Sequence, residues 1–245
     1  SSSGVRIRVS DLHMPHGCIL EEGDFAYTVG HLAHEFGHGL GLPDLYDTAY
    51  DTPAEDSAGI GKWGLMGLGS YGWGGNDGPN PLCAWSREQL GWIGPGNQRL
   101  VELQEDRRGV HLAAVDRGGY VYKVPLPASV LANRFYEEPY LLLEYRCRDA
   151  SYYDRHLPAD GLLVWRIRPY AYTVHGLAHR NGFEECKLVD LVCADAAPEG
   201  PDALDHWAHN EAYRRAHGGN EGDAGDLFDG VRFTSLELEP GAQEV

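Results

Sequence analysis

One stretch constrains the local geometry of this chain more than any other: His34-Glu35-Phe36-Gly37-His38-Gly39-Leu40-Gly41-Leu42-Pro43-Asp44. Histidines four apart on a helix share a face, because four steps of about 100° nearly close a turn. Two imidazoles so placed suit Zn²⁺, and a glutamate directly after the first is placed to act on water at the metal. Gly41 lets the chain leave the helix in a backbone conformation that other residues resist. A sharp turn there would return Asp44, six residues beyond His38, as a third ligand, with Pro43 restricting the path. The bare two-histidine pattern also arises on helices where it only caps or faces solvent. Gly41 and Asp44 separate this stretch from that case.

Downstream lies Trp63-Gly64-Leu65-Met66-Gly67-Leu68-Gly69-Ser70-Tyr71. A methionine in a tight, glycine-flanked turn after the third ligand can form an apolar floor beneath the ligands. Its role is packing even if Met66 is ordinary core. Tyr71 is a candidate catalytic residue by position, since a hydroxyl near the metal can stabilise an oxyanion. His31, three residues before His34, reads as a buried, hydrogen-bonded histidine rather than a ligand.

Composition sets the outer limits. A chain of 245 residues has material for one large domain or two small ones. It has no long apolar run, so no membrane span is expected. A formal net charge of −17 argues against nucleic acid as a partner and leaves carboxylates available for Ca²⁺. Candidate calcium ligands are Asp47, in an acidic loop over 45–61, and Asp223 and Asp226, in a second Asp/Gly cluster. A solvated turn is the simpler reading of the first cluster and an equal alternative for the second. The five cysteines (Cys18, Cys83, Cys147, Cys186, Cys193) form no CxxC pair and are odd in number. Two disulfides among them would suit an extracellular enzyme. The start at Ser1-Ser2-Ser3, with neither methionine nor signal peptide, reads as processed or trimmed after loss of a pre-pro region.

Periodicity supplies the elements. Residues 5–9 alternate as an edge strand does, a candidate for pairing with a substrate backbone. Residues 25–40 form the metal-binding helix, and 79–92 read as a second, with Asn80 as cap and Pro81 in its first turn. Period-two patterns predict strands over 109–115, 119–125, 140–146, 161–168, 185–193 and 231–238, with a short helix over 203–216. The pairs His175/His179 and His206/His209 lack an intervening glutamate and are weak as metal sites.

With these residues in hand, the chain resembles the immune inhibitor A family of secreted bacterial zinc metallopeptidases. Residues 34–44 look like that family's zinc motif, with aspartate where other metzincins have a third histidine, and Trp63-Gly-Leu-Met66-Gly looks like its Met-turn. Ala84-Trp85 to Trp92, Leu143-Glu-Tyr-Arg146, Gly161-Leu-Leu-Val-Trp165 and Gly222-Asp-Ala-Gly-Asp-Leu-Phe228 are similar to its later segments. Their order favours this family over the shorter snapalysin type.

The resemblance implies an α+β, zincin-like core with an active-site helix and Met-turn over 1–96, and a β-rich part of the same peptidase unit over 97–245. It implies zinc held by His34, His38 and Asp44, Glu35 as general base and acid, calcium as a structural ion, and a protein or peptide substrate outside the cell. Two departures stand out. Only 33 residues precede His34, so the family's N-terminal subdomain is expected to be short, missing, or supplied as a propeptide or separate chain. Trp165 is followed by Arg-Ile-Arg where the family often has a histidine and acidic residues. Two other readings remain open: a catalytically inactive zinc-binding adhesion or inhibitory module, and a zinc hydrolase for a non-peptide substrate.

Overall fold

The computed structural model describes residues 25–46, 48, 57–74, 78–126, 138–169, 181–182, 187–195 and 221–236. Within them the fold is α+β, with one mixed five-stranded sheet and few helices. The predicted strand at 5–9, the helix over 203–216, Asp47 and both weak histidine pairs lie outside the described residues.

Helix α1 spans Phe25–Gly39. It ends because Gly41 adopts a φ of +95°. The amide of Leu42 then donates to the carbonyl of Gly37 at 3.1 Å, and that of Gly41 to His38 at 2.9 Å. This Schellman pairing satisfies carbonyls that the last helical turn would leave open. The helix lies very close to the 3₁₀ turn Leu68–Tyr71. A Cβ on Gly30 would stand 1.9 Å from the Ser70 carbonyl oxygen, so only glycine permits this approach.

The predicted helix over 79–92 shrinks to α2, Ala84–Gln89. Asn80 does not cap it. Its side chain donates to the Lys62 carbonyl at 2.7 Å and its backbone amide to Gly69, which binds 78–83 to the Met66 loop in extended form. The first amide of α2 instead finds a carboxylate oxygen of Glu144, 3.1 Å away.

Strands β1 (Leu100–Glu102), β2 (Val121–Pro125), β3 (Tyr140–Arg146), β4 (Gly161–Ile167) and β5 (Val189–Leu191) stand in the sheet in that order. The first pair is parallel and the others antiparallel, with Leu143 opposite Val164 and Trp165 opposite Leu191. The expected strand over 109–115 is a loop, because β1 occupies the ladder position beside β2. Residues 231–236 of the expected last strand are also not extended into the sheet. On β3, Tyr140, Leu142, Glu144 and Arg146 share one buried face. The two charged members are paired there: Glu144 also accepts from the Trp165 indole at 2.9 Å, and Arg146 reaches Asp154 at 2.7 Å.

One apolar core joins the α1–Met66 region to the sheet, and includes Leu42, Leu45, Trp63, Met66, Leu142, Trp165 and Leu227. Cys83 and Cys147 are buried free thiols, and Cys193 is buried as well. Cys18 and Cys186 lie outside the described residues.

Candidate metal centre

His34 is buried on the inner face of α1, and His38 lies one turn further on, half-buried. Each ring is oriented by its Nδ1. That of His34 donates to the Leu65 carbonyl at 2.8 Å, and that of His38 to the Leu42 carbonyl at 2.8 Å. A carbonyl oxygen only accepts, so the proton of each neutral ring sits on Nδ1 and the lone pair on Nε2. Such outer hydrogen bonds commonly fix the tautomer and direction of metal-binding histidines.

The two Nε2 atoms converge on a single carboxylate oxygen. Asp44 Oδ1 is 3.0 Å from His34 Nε2 and 3.3 Å from His38 Nε2. Lone pairs facing a carboxylate repel unless a cation lies between them. Ligands about 2.0–2.1 Å from a tetrahedral ion stand about 3.3 Å apart, close to these separations. Glu35 joins the group: one ligand atom from each of His34, Glu35 and His38 lies within 4.8 Å of the others. The donor set of two imidazole nitrogens and a carboxylate fits Zn²⁺.

Electrostatics agrees with a site built for positive charge. Without a metal ion, His38 takes a second proton on Nε2 and donates it to Asp44, and that hydrogen bond raises its pKa to about 9, against the opposing effect of burial. Burial pushes the Asp44 carboxyl up, but hydrogen bonds from His34 and His38 outweigh it and hold the group well below the usual carboxylate range.

The Met66 turn holds both sides of this group through its backbone. The Leu65 carbonyl orients His34, while the Met66 carbonyl accepts from the amide of Leu45 at 2.8 Å, next to Asp44. The Met66 side chain is buried beneath α1, where a Cβ on Gly37 would come within 2.5 Å of its sulfur.

Glu35 and His34 open into a cavity of about 490 Å³, walled by Tyr46, Lys62, Tyr71 and Glu221 among others. Tyr71 is 37% exposed and stacks edge-on to His31, with ring centroids 5.3 Å apart. His31 therefore lines this cavity rather than the core. Sequence reasoning missed Tyr46, whose ring lies 6.2 Å from that of His34, and the Lys62–Glu221 ion pair at 3.3 Å. Tyr46 was open to detection as an aromatic two residues after Asp44. Glu221 carries no local signal, because only the fold brings it beside Lys62.

Asp223 and Asp226 serve a turn. Asp226 is fully buried and accepts from the Trp63 indole and from the Asp223 amide. Asp223 accepts from the Gly225 amide at 2.6 Å. The segment thus fastens onto the Met66 loop, and Gly222 packs against Trp63 and Trp73.

Two converging imidazoles, an adjacent carboxylate and an open cavity define a candidate mononuclear metal centre. Residues 21–94, which hold every one of these ligands, match the model of the immune inhibitor A peptidase M6 catalytic domain. The chain is thus immune inhibitor A-like over this segment. It is similar to the pre-pro-metalloprotease PrtV of two Vibrio cholerae serotype O1 strains, M66-2 and ATCC 39315 / El Tor Inaba N16961. Each is 35% identical over 104 residues, covering 36% of this chain and 11% of the relative. The chain thus spans about a ninth of the length of these curated relatives. No solved structure matches it.

Proposed function

We propose that this chain carries the catalytic centre of a secreted zinc-dependent endopeptidase. The observation that supports this most is the convergence of His34 Nε2, His38 Nε2 and Asp44 Oδ1, with each imidazole fixed by a backbone carbonyl. These three residues would hold the zinc. When bound, that ion supplies Lewis acidity for a peptide carbonyl and acidifies water.

The chain's own residues do the rest. Glu35 takes a proton from the attacking water and returns it to the leaving amine. Tyr71, on the cavity wall, donates to the developing oxyanion. Met66 packs beneath the helix, and its turn holds His34 and the Asp44 segment at fixed spacing. Residues 1–96 and 97–245 act as parts of one unit, a reading supported by the shared core and the Trp63–Asp226 bond. Secretion and a propeptide belong to the same proposal, since the relatives are described as pre-pro-metalloproteases. Calcium belongs to the proposal as a structural ion, with Asp47, Asp223 and Asp226 as its candidate ligands, the last two in a turn held by hydrogen bonds.

Metal analysis combined with casein digestion tests this reading. The expected result is about one zinc per chain in both wild type and Glu35→Ala, with digestion by the wild type alone, falling at least about a hundredfold in the variant. Digestion that survives in Glu35→Ala sinks the mechanism. Zinc in both with digestion by neither favours the inactive binding module.

A further inference from the structure

Away from the metal centre, a second cavity of about 290 Å³ forms where the loop after β1 folds over the sheet face of β1 and β2. Its floor is apolar and aromatic. Val101 of β1 stands opposite Tyr122 of β2, and the Tyr120 ring lies 6.3 Å from that of Tyr122 at a tilt of 35°. Val110 adds to the lining, and Arg107 and Arg108 supply its charge. The loop is held down by the Tyr122 hydroxyl, which donates to the His111 carbonyl at 3.1 Å.

Two features set this cleft apart. On a chain of net charge −17, it is lined by two adjacent arginines and no carboxylate. Glu105 and Asp106 precede them in sequence but do not line it. Among the described residues, neither guanidinium forms an ion pair, unlike Arg87, Arg146 and Arg168. Tyr120 is 42% exposed at the same place, so aromatic surface and unpaired cation face solvent together.

We propose that this cleft binds an acidic peptide segment whose carboxylates lie next to an apolar side chain. Guanidinium forks match carboxylates in charge and geometry, with each bond stronger than a neutral one. A bare inorganic anion would leave Val101, Val110 and the exposed Tyr120 ring uncovered, so the ligand has an apolar body beside its charge. The volume suits one or two side chains, and the occupant is therefore a segment rather than a folded surface. The site does not depend on the peptidase reading, since none of its residues belongs to the metal centre.

Fluorescence anisotropy tests this, with a labelled hexapeptide holding two glutamates between leucine and phenylalanine, and its glutamine counterpart. The full chain is used in the Glu35→Ala background, so that hydrolysis does not consume the probe. The glutamate peptide is expected to bind at least about tenfold more tightly than the glutamine peptide. Arg107→Glu with Arg108→Glu should abolish that difference, and a lysine version of the peptide should bind this charge-reversed chain better than it binds the parent. Tyr120→Ala should weaken the glutamate peptide several-fold. Equal binding of the glutamate and glutamine peptides, indifference to the arginine reversal, or no binding at all overturns the proposal. So does displacement by equimolar inorganic phosphate, which marks a plain anion site, or tighter binding of a sulfated oligosaccharide.

Discussion

The carbonyl oxygen of Leu65 accepts a hydrogen bond from Nδ1 of His34 at 2.8 Å across 31 residues of sequence. This bond turns the ring so that Nε2 faces Asp44, and the next carbonyl, that of Met66, holds Leu45 beside Asp44. Two adjacent carbonyls therefore space two candidate ligands. The turn acts on the centre through its backbone, and the thioether fills space under Gly37.

Met66→Leu should therefore be mild. Leucine conserves volume, and swaps of this kind usually cost under about 1.5 kcal/mol. Zinc content should stay near the wild-type value, with the loss confined to the urea midpoint. A Met66→Leu chain that folds but no longer holds zinc would assign the role to the sulfur instead.

Asn181 should matter to the metal centre although it touches no ligand. Fully buried, it donates to the carbonyls of Val189 at 2.6 Å and Leu45 at 3.4 Å, and accepts from the Val189 amide at 3.0 Å. Asn181→Ala leaves the Val189 amide and carbonyl without these partners and the Leu45 carbonyl with the Ile60 amide alone, at a cost of about 1–3 kcal/mol in stability. It should also weaken zinc binding several-fold under conditions where the variant remains folded, because Leu45 adjoins Asp44. Equilibrium chelator competition on folded protein separates the two effects.

Acid stability should depend on Asp116. Burial raises its carboxyl, but two hydrogen bonds from Arg87, at 2.9 and 2.8 Å, outweigh that and lower it. A depressed folded-state pKa means a contribution fully present above the ordinary value near 3.8 and lost as pH falls through the folded value. Between pH 6 and pH 3, the urea midpoint of the wild type should fall further than that of Asp116→Asn. Parallel curves for the two proteins would contradict this.

The buried thiols should be silent in the native state. Burial pushes Cys83 up to about 11, with its hydrogen bond to Ser86 opposing, and burial also pushes Cys147 up to about 11. Little thiolate then exists at pH 8, and thiolate is the reactive form. A disulfide reagent should label Cys83 and Cys147 only after denaturation. Fast native labelling of Cys83 would show that the α2 N-terminus opens readily.

The sequence by itself determined what is local. Helix spacing placed His34, Glu35 and His38 on one face, and Gly41 supplied the positive φ that ends α1 and turns Asp44 back. Alternation placed β3 and β4, whose apolar and paired polar faces repeat every second residue. Only tertiary structure decided the rest, because the interactions are long-range. Whether 100–102 or 109–115 lies beside β2 depends on competition for one ladder, which periodicity does not see. The capping of α2 by Glu144, the wall formed by Glu221 and the clamp of Asp226 on Trp63 join residues 60 to 163 positions apart, by contacts that leave no mark in either segment alone. So it is with the opening stretch: its residues specify the candidate ligands, but the Leu65 carbonyl that aims the first of them arrives only when the chain folds.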